Sequence, residues 1–283
     1  KRFSTMVMLE FEEVTPIELP LNPEQSSNGT IFLLKAWTDS IIQVLHDGEK
    51  VVAVKSWDGE IRGSTCFGDE LYFKTDTDKI YTATFHPPSD IQIDFVRDLE
   101  NGEECNHNML ITRKINGKEV IYRACDDSTT GISMDITEVQ LEGCSFQGIH
   151  RGKLIYTNSN TTEGPVIYSS PTIILFNCSY GNIIASDDKP LIYFCSRYEE
   201  MFVLDTTTME TLSIELPDPV DDSAPPYFSS LIGVRGGEIV VRRRTPDVAG
   251  DDRERTNAIC RAKFSESLKQ FEKAAMERDQ QGK

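Results

Sequence analysis

Five pairs of neighbouring carboxylates are the groups in this chain best suited to chemistry: Asp76/Asp78, Asp126/Asp127, Asp187/Asp188, Asp221/Asp222 and Asp251/Asp252. Two carboxylates run general acid–base catalysis when their separation is fixed and burial keeps one of them protonated. They also supply the hard oxygens that calcium takes. Every pair here falls in a stretch that reads as a turn or loop, where solvated Asp is the ordinary turn former. The stretch Lys74–Lys79 (KTDTDK) has two candidate calcium ligands in Asp76 and Asp78 but lacks the Gly and terminal Glu of an EF-hand loop.

The other reactive side chains are scattered. The four histidines, His46, His86, His107 and His150, stand alone, none paired with a His or carboxylate at metal-ligand spacing. His86 precedes Pro87-Pro88, and His150 reads as part of a hairpin turn, so surface positions are expected. The seven cysteines are separated by 39, 20, 19, 34, 17 and 65 residues, with no CxxC pair to start a zinc site and an odd count for a disulfide framework. Cys195 and Cys260 sit in apolar strands, where a thiol acts as a small hydrophobe. No GxSxG, HExxH or GxxxxGK[ST] stretch occurs. No catalytic residue, cofactor or metal ligand is therefore assigned, and a non-enzyme is expected. The alternative is a hydrolase or lyase using loop carboxylates.

Charge narrows the partner. Acidic residues outnumber basic ones 46 to 29, a formal charge of −17. Phosphate neutralisation draws on Lys and Arg, so nucleic acid is not expected, and the net field favours a basic protein segment. The one basic run, Arg242-Arg243-Arg244, is followed by Asp247, Asp251, Asp252 and Glu254. No apolar run reaches the roughly 18 to 20 residues that span a bilayer, and no apolar h-region precedes a cleavage site. Neither a membrane nor a signal peptide is expected, and cysteine usage points to a reducing compartment, cytoplasmic or nuclear.

The elements that must position these groups repeat along the chain. Short apolar cores recur at Leu71, Leu110, Leu154, Leu191 and Ile239, at steps of 39, 44, 37 and 48 and a mean of 42 residues, with an earlier copy at Thr30–Leu33. Some 9 to 12 residues after most cores comes a second apolar segment (KIYTATF, EVIYRA, PVIYSS, MFVLD). A third follows in IQIDFV, ISMDIT, TIILF and TLSIEL. In the last copy an acidic insertion delays the second segment to NAICRA. A strand precedes several cores through turns such as Arg151-Gly152 and Gly236-Gly237, whose Gly accepts positive φ. Ile, Val, Tyr, Phe and Thr separated by Asp, Asn, Gly and Ser are strand and turn chemistry.

Four strands in about 42 residues is the length of a propeller blade. The expected fold is all-β: a β-propeller, six blades of four antiparallel strands over 1–264. The last copy lacks one strand, and Phe3–Phe11 is expected to supply it and close the ring. Residues 265–283 form a C-terminal α-helix or linker, with Leu268, Phe271, Ala275 and Met276 at helical spacing and Ser265 or Ser267 as cap.

The stretch from Phe194 to Pro219 resembles kelch-type and F-box-associated propeller repeats. Leu204-Asp205-Thr-Thr-Thr208 supplies a D-x-x-T turn and Leu216-Pro217-Asp218-Pro219 an LP-x-P ending. The kelch double glycine with spaced Tyr and Trp is absent, and Trp57-Asp58 is the one WD dipeptide. The resemblance implies a protein-recognition module, a scaffold or a substrate receptor of a ubiquitin ligase assembly. In a propeller the loop between second and third strands shares a face with the connections between blades. Partner-binding candidates on such loops are Asp76 and Asp78, Arg197, Tyr198 and Glu199, and Asp221, Asp222 and Tyr227. Tyr and Arg are the residues enriched at binding hot spots.

Overall fold

A computed structural model of the chain describes residues 6–17, 21–35, 40–46, 50–126, 131–134, 144–158, 166–169, 171–177, 183–185, 188–195, 201–215, 227–244 and 257–282. The chain opens with β1 (Met6–Met8) and β2 (Phe11–Ile17). Six sheets then follow in order of sequence. Blade 1 holds β3 (Leu21–Gln25), β4 (Ile31–Lys35), β5 (Ile41–His46) and β6 (Lys50–Ser56). Blade 2 holds β7 (Ile61–Phe67), β8 (Glu70–Thr75), β9 (Lys79–His86) and β10 (Asp90–Asp98). Blade 3 holds β11 (Glu103–Cys105), β12 (Leu110–Ile115), β13 (Lys118–Arg123) and β14 (Ile132–Met134). Blade 4 holds β15 (Cys144–His150), β16 (Lys153–Asn158), β17 (Val166–Ser169) and β18 (Ile173–Asn177). Blade 5 holds β19 (Ile183–Ala185), β20 (Leu191–Cys195), β21 (Met201–Asp205) and β22 (Glu210–Glu215). Blade 6 holds β23 (Tyr227–Arg235), β24 (Glu238–Arg244) and β25 (Asn257–Lys263), and α1 (Glu266–Gln281) ends the chain. These sheets are the blades of a six-bladed β-propeller. The repeated apolar cores are the second strand of each blade.

The chain divides into two compact units, a central one over Pro20–Glu142 with blades 1 to 3, and a terminal one of Lys1–Leu19 with Gly143–Lys283. In the central unit one apolar cluster joins blades 1 and 2 (Phe32, Ile42, Leu71, Phe73, Ile91) and another joins blades 2 and 3 (Ile80, Ile111, Tyr122). Close approach of blade 2 to blade 3 requires a glycine. A Cβ on Gly63 would lie 2.8 Å from the Cα of His107, beside the bond from Ser64 N–H to the His107 carbonyl. The hairpin turns read from sequence have the backbone expected: Arg151-Gly152 at φ 49° and 77°, Gly236-Gly237 at 58° and 79°, positive at both positions as a type I′ turn requires.

Two features depart from expectation. Blade 4 runs β15-β16-β18-β17, so β16 pairs with β18 in parallel and β17 takes the outer edge. The more apolar segment has won the inner place: Ile173, Ile174 and Phe176 of β18 are buried. The second departure concerns the N-terminus. The strand that completes blade 6 is Phe11–Ile17, paired antiparallel with β25, and not the stretch Phe3–Phe11. Met6–Met8 instead adds in parallel to the outer edge of blade 5, beside Ser213–Glu215. First and last segments still share one sheet, as the repeat count required.

The helix follows from its sequence. Ser265 caps it by accepting the Leu268 N–H at 3.3 Å. Leu268 and Ala275 enter one apolar cluster with Tyr193, Ile214, Ile239 and Phe264, and Phe271 packs on its margin.

Candidate functional site

The hydrogen bonds of Asp76 and Asp78 show what surrounds them. They occupy the turn between β8 and β9, held by the Asp78 N–H to the Thr75 carbonyl at 3.2 Å and by the Lys79 N–H to Thr75 Oγ1 at 3.3 Å. Asp78 takes φ 57°, a left-handed backbone that Asp tolerates better than most residues. The turn is bound on both sides to connections between blades. Asp76 N–H donates to the Glu60 carbonyl at 3.2 Å, in the link from blade 1 to blade 2. Leu99 N–H donates to the Asp78 carbonyl at 2.8 Å, in the link from blade 2 to blade 3. The first link is itself tied to the middle loop of blade 1, through Trp57 N–H to the Ser40 carbonyl at 2.8 Å and Ile61 N–H to Ser40 Oγ at 3.3 Å. One face of the central unit is thus built from middle turns and inter-blade links, as the propeller reading requires.

That face is acidic over blades 1 and 2. Asp58, Asp76, Asp78 and Asp98 are exposed, and among the described residues none of the four forms an ion pair. Glu60 and Glu100 beside them are matched, by Arg62 at 2.8 Å and by Arg113 at 2.5 Å. Lys114 and Lys118 are exposed on either side of the Asn116-Gly117 turn of blade 3. Asp58 and Asp98 escaped sequence reasoning. They belong to inter-blade links, and the strand pattern alone does not say which link a given turn touches.

Of the remaining candidates, Arg197, Tyr198, Glu199, Asp221 and Asp222 lie outside the described residues, and Tyr227 opens β23. His150 corrects an expectation. It is 1% exposed at the end of β15, with Nε2 3.4 Å from Thr206 Oγ1, and not a surface turn residue. The preceding Ile149 and His150 pair with Leu154 and Lys153, which extends the strand and draws the ring inward.

Two buried carboxylates have perturbed acidity, and both lie in structural networks. Asp205, fully buried, closes its turn by accepting from Thr207 N–H at 2.8 Å and Thr207 Oγ1 at 2.6 Å, and it also takes Arg278 of α1 at 2.6 Å. Burial pushes its carboxyl up, but the bonds from Thr207 and Arg278 overcome this and hold it below the usual range. Glu103 accepts from Arg97 at 2.6 Å and from Tyr122. Burial again acts upward, and these donors hold Glu103 low, while burial and Glu103 push Tyr122 up to about 12. A general acid needs the reverse, a carboxyl kept protonated near neutral pH. Burial likewise raises Cys105 to about 11, Cys195 to about 12 and Cys260 to about 11, far from a reactive thiolate. Among the described residues no group of three or more His, Cys, Asp or Glu could hold a metal ion, and no helix is long and apolar enough to cross a membrane.

No family model matches the chain, and no curated protein matches it by sequence. Solved propellers are similar at low identity. The WD40 repeats of RRP9 align at 10% identity and TM-score 0.45, covering 86% of this chain and 79% of that one. The WD40 propeller domain of Doa1 aligns at 9% and TM-score 0.39, covering 91% and 98%. Myxococcus xanthus glutaminyl cyclase aligns at 12% and TM-score 0.36, covering 92% and 99%. These similarities carry no argument about function.

Proposed function

We propose that the protein is a non-enzymatic interaction module, a scaffold or recognition subunit of a larger assembly, that captures a basic segment of another protein. The carrying observation is the exposed set Asp58, Asp76, Asp78 and Asp98, unmatched among the described residues, around a turn that backbone hydrogen bonds tie to the links on both sides. A rigid surface with surplus negative charge steers a cationic partner and loses little entropy on binding it. The perturbed carboxyls support the same reading, because each already serves a structural network. The kelch-like and F-box-associated resemblance agrees with a recognition role, including that of a ubiquitin ligase receptor in the cytoplasm or nucleus.

Cross-linking affinity purification with the full chain tests this. A stoichiometric protein partner is expected, its capture falling as salt rises because exposed charge attraction is screened beyond about 8 Å at physiological ionic strength. Asp76→Lys combined with Asp78→Asn should reduce capture about ten-fold, or ~1.4 kcal/mol. Salt-independent capture, or full capture by the double variant, would sink the reading.

A further inference from the structure

The outer strands of the blades differ in how their free edges are treated. A strand at a sheet edge presents unpaired N–H and C=O groups to any passing chain, and proteins commonly defend it with Lys, Pro or brevity. Blade 1 ends in β6, which carries exposed Lys50 and Lys55. Blade 5 has its edge covered by the chain itself, with β1 added as a fifth strand along β22 and Val7 buried beneath it.

Blade 2 does none of these things. Its outer strand β10 runs nine residues, contains no Lys or Pro, and among the described residues has no strand on its outer edge. Ile91 and Ile93 turn inward to the cluster shared with blade 1. Phe95 is 54% exposed and Val96 40%, although Phe95 touches Tyr81 edge-on at 5.5 Å. Asp90 and Asp94 fall on the opposite side of the pleat from the isoleucines, and both are exposed, with Asp94 accepting from Gln92 at 2.7 Å. A bulge at Val96 interrupts the ladder, so regular pairing is available from Asp90 to Phe95. Asp98 at the far end belongs to the acidic face already described.

We propose that β10 is an acceptor strand: it takes an extended, basic segment of another protein as a fifth strand of blade 2. This rests on the interaction-module reading and gives it a surface. Charge complementarity selects the occupant. Residues directly opposite on paired strands share a face, so the segment carries Lys or Arg opposite Asp90 and Asp94, four residues apart, with apolar residues opposite Ile93 and Phe95. Strand addition draws its strength from main-chain bonds and its selectivity from alternate side chains. Carboxylates that merely guard the edge against self-association would leave the exposed Phe95 and Val96, directly after Asp94, unexplained. The fifth strand of blade 5 shows that a blade of this molecule accepts such an addition.

The test uses the full chain and three synthetic peptides: acetyl-Lys-Val-Thr-Val-Lys-Val-amide with a fluorophore, a scrambled peptide of the same composition, and one with Glu in place of Lys. The alternating peptide should bind at least ten-fold more tightly than either control by fluorescence anisotropy, and should slow amide hydrogen exchange across 90–95. Asp90→Lys with Asp94→Lys should cut binding ten-fold or more, and Phe95→Lys about three-fold, with far-UV circular dichroism and Tm unchanged. Equal binding of the scrambled peptide, no binding, or protection confined to residues outside β10 would overturn the proposal. A cellular partner lost on Asp76→Lys but kept by the β10 variants would overturn it while leaving the module reading intact.

Discussion

Charge is arranged differently in two regions of the molecule. Where α1 docks in the terminal unit, three ion pairs span the contact: Arg278–Asp205 at 2.6 Å, Arg151–Asp279 at 2.7 Å and Lys189–Glu272 at 2.5 Å. Each joins the helix to a turn of blade 4 or 5, over the buried Leu268 and Ala275. On the acidic face of the central unit, Asp58, Asp76, Asp78 and Asp98 are exposed and unmatched among the described residues. Matched charge over an apolar seam is the signature of a contact the chain makes with itself. Surplus charge on a hydrogen-bonded frame is what the proposed capture of a basic segment calls for. Substitutions should therefore cost stability in the first region and binding in the second.

The largest effect is expected in the seam beneath the ion pairs. Leu268→Asp places a carboxylate in an apolar cluster with no partner, and should lower unfolding stability by about 4 kcal/mol in urea denaturation. Survival of stability within about 1 kcal/mol would show that the helix is not part of the folded unit. Next comes Arg278→Ala, which leaves the fully buried Asp205 with its threonine donors alone. Removing one partner of a buried pair costs about 3 to 5 kcal/mol, but Arg278 is a third exposed and Thr207 and Thr208 remain, so about 2 kcal/mol is expected. This difference has a pH signature. Asp205 has a folded pKa below its unfolded one, so its contribution is complete above the ordinary aspartate value near 3.9 and is lost as pH falls through the lower folded value. Wild type and Arg278→Ala should differ by a constant amount at neutral pH and converge below about pH 4. A gap that persists at pH 2 would assign the effect to packing.

The seam and the open face were unequally legible. All six second strands could be located from apolar cores such as Leu71 and Leu191, because a blade must bury those residues wherever it lies. The Asp205-Thr-Thr-Thr208 turn was visible too, but its partner Arg278 was not, since 73 residues separate them and only the helix docking brings them together. Periodicity also could not order β17 and β18, whose segments are both apolar and short. On the open face Asp76 and Asp78 were visible as turn residues. Asp58 and Asp98 were not, because what gathers them is a set of backbone bonds from Asp76 and Leu99 that leaves no trace in residue type.

The open face should respond in the opposite sense. Asp76→Lys with Asp78→Asn changes two exposed side chains, and Asn retains access to the left-handed backbone at position 78. Stability should stay within about 0.5 kcal/mol of wild type by denaturant titration. A loss above about 1.5 kcal/mol would mean the acidic turn is a structural network like that of Asp205, and the contrast between the regions would collapse.

The smallest effect calibrates the rest. Lys269 and Glu266 pair at 2.7 Å on the exposed side of α1, one turn apart, with side chains 53% and 80% exposed. An exposed helix pair gains little, because water screens the attraction and both side chains lose rotamer freedom. Lys269→Ala should therefore change stability by about 0.3 kcal/mol, with the high helix propensity of Ala offsetting part of that. The pair is as short as the Arg151–Asp279 bridge, whose side chains are only 24% and 14% exposed and which joins α1 to a turn of blade 4. Arg151→Ala should cost clearly more than Lys269→Ala if desolvation, and not distance, decides what an ion pair contributes. Equal costs in the two variants would show that the helix bridges follow its apolar seam passively, and would move the whole docking energy onto Leu268, Phe271 and Ala275.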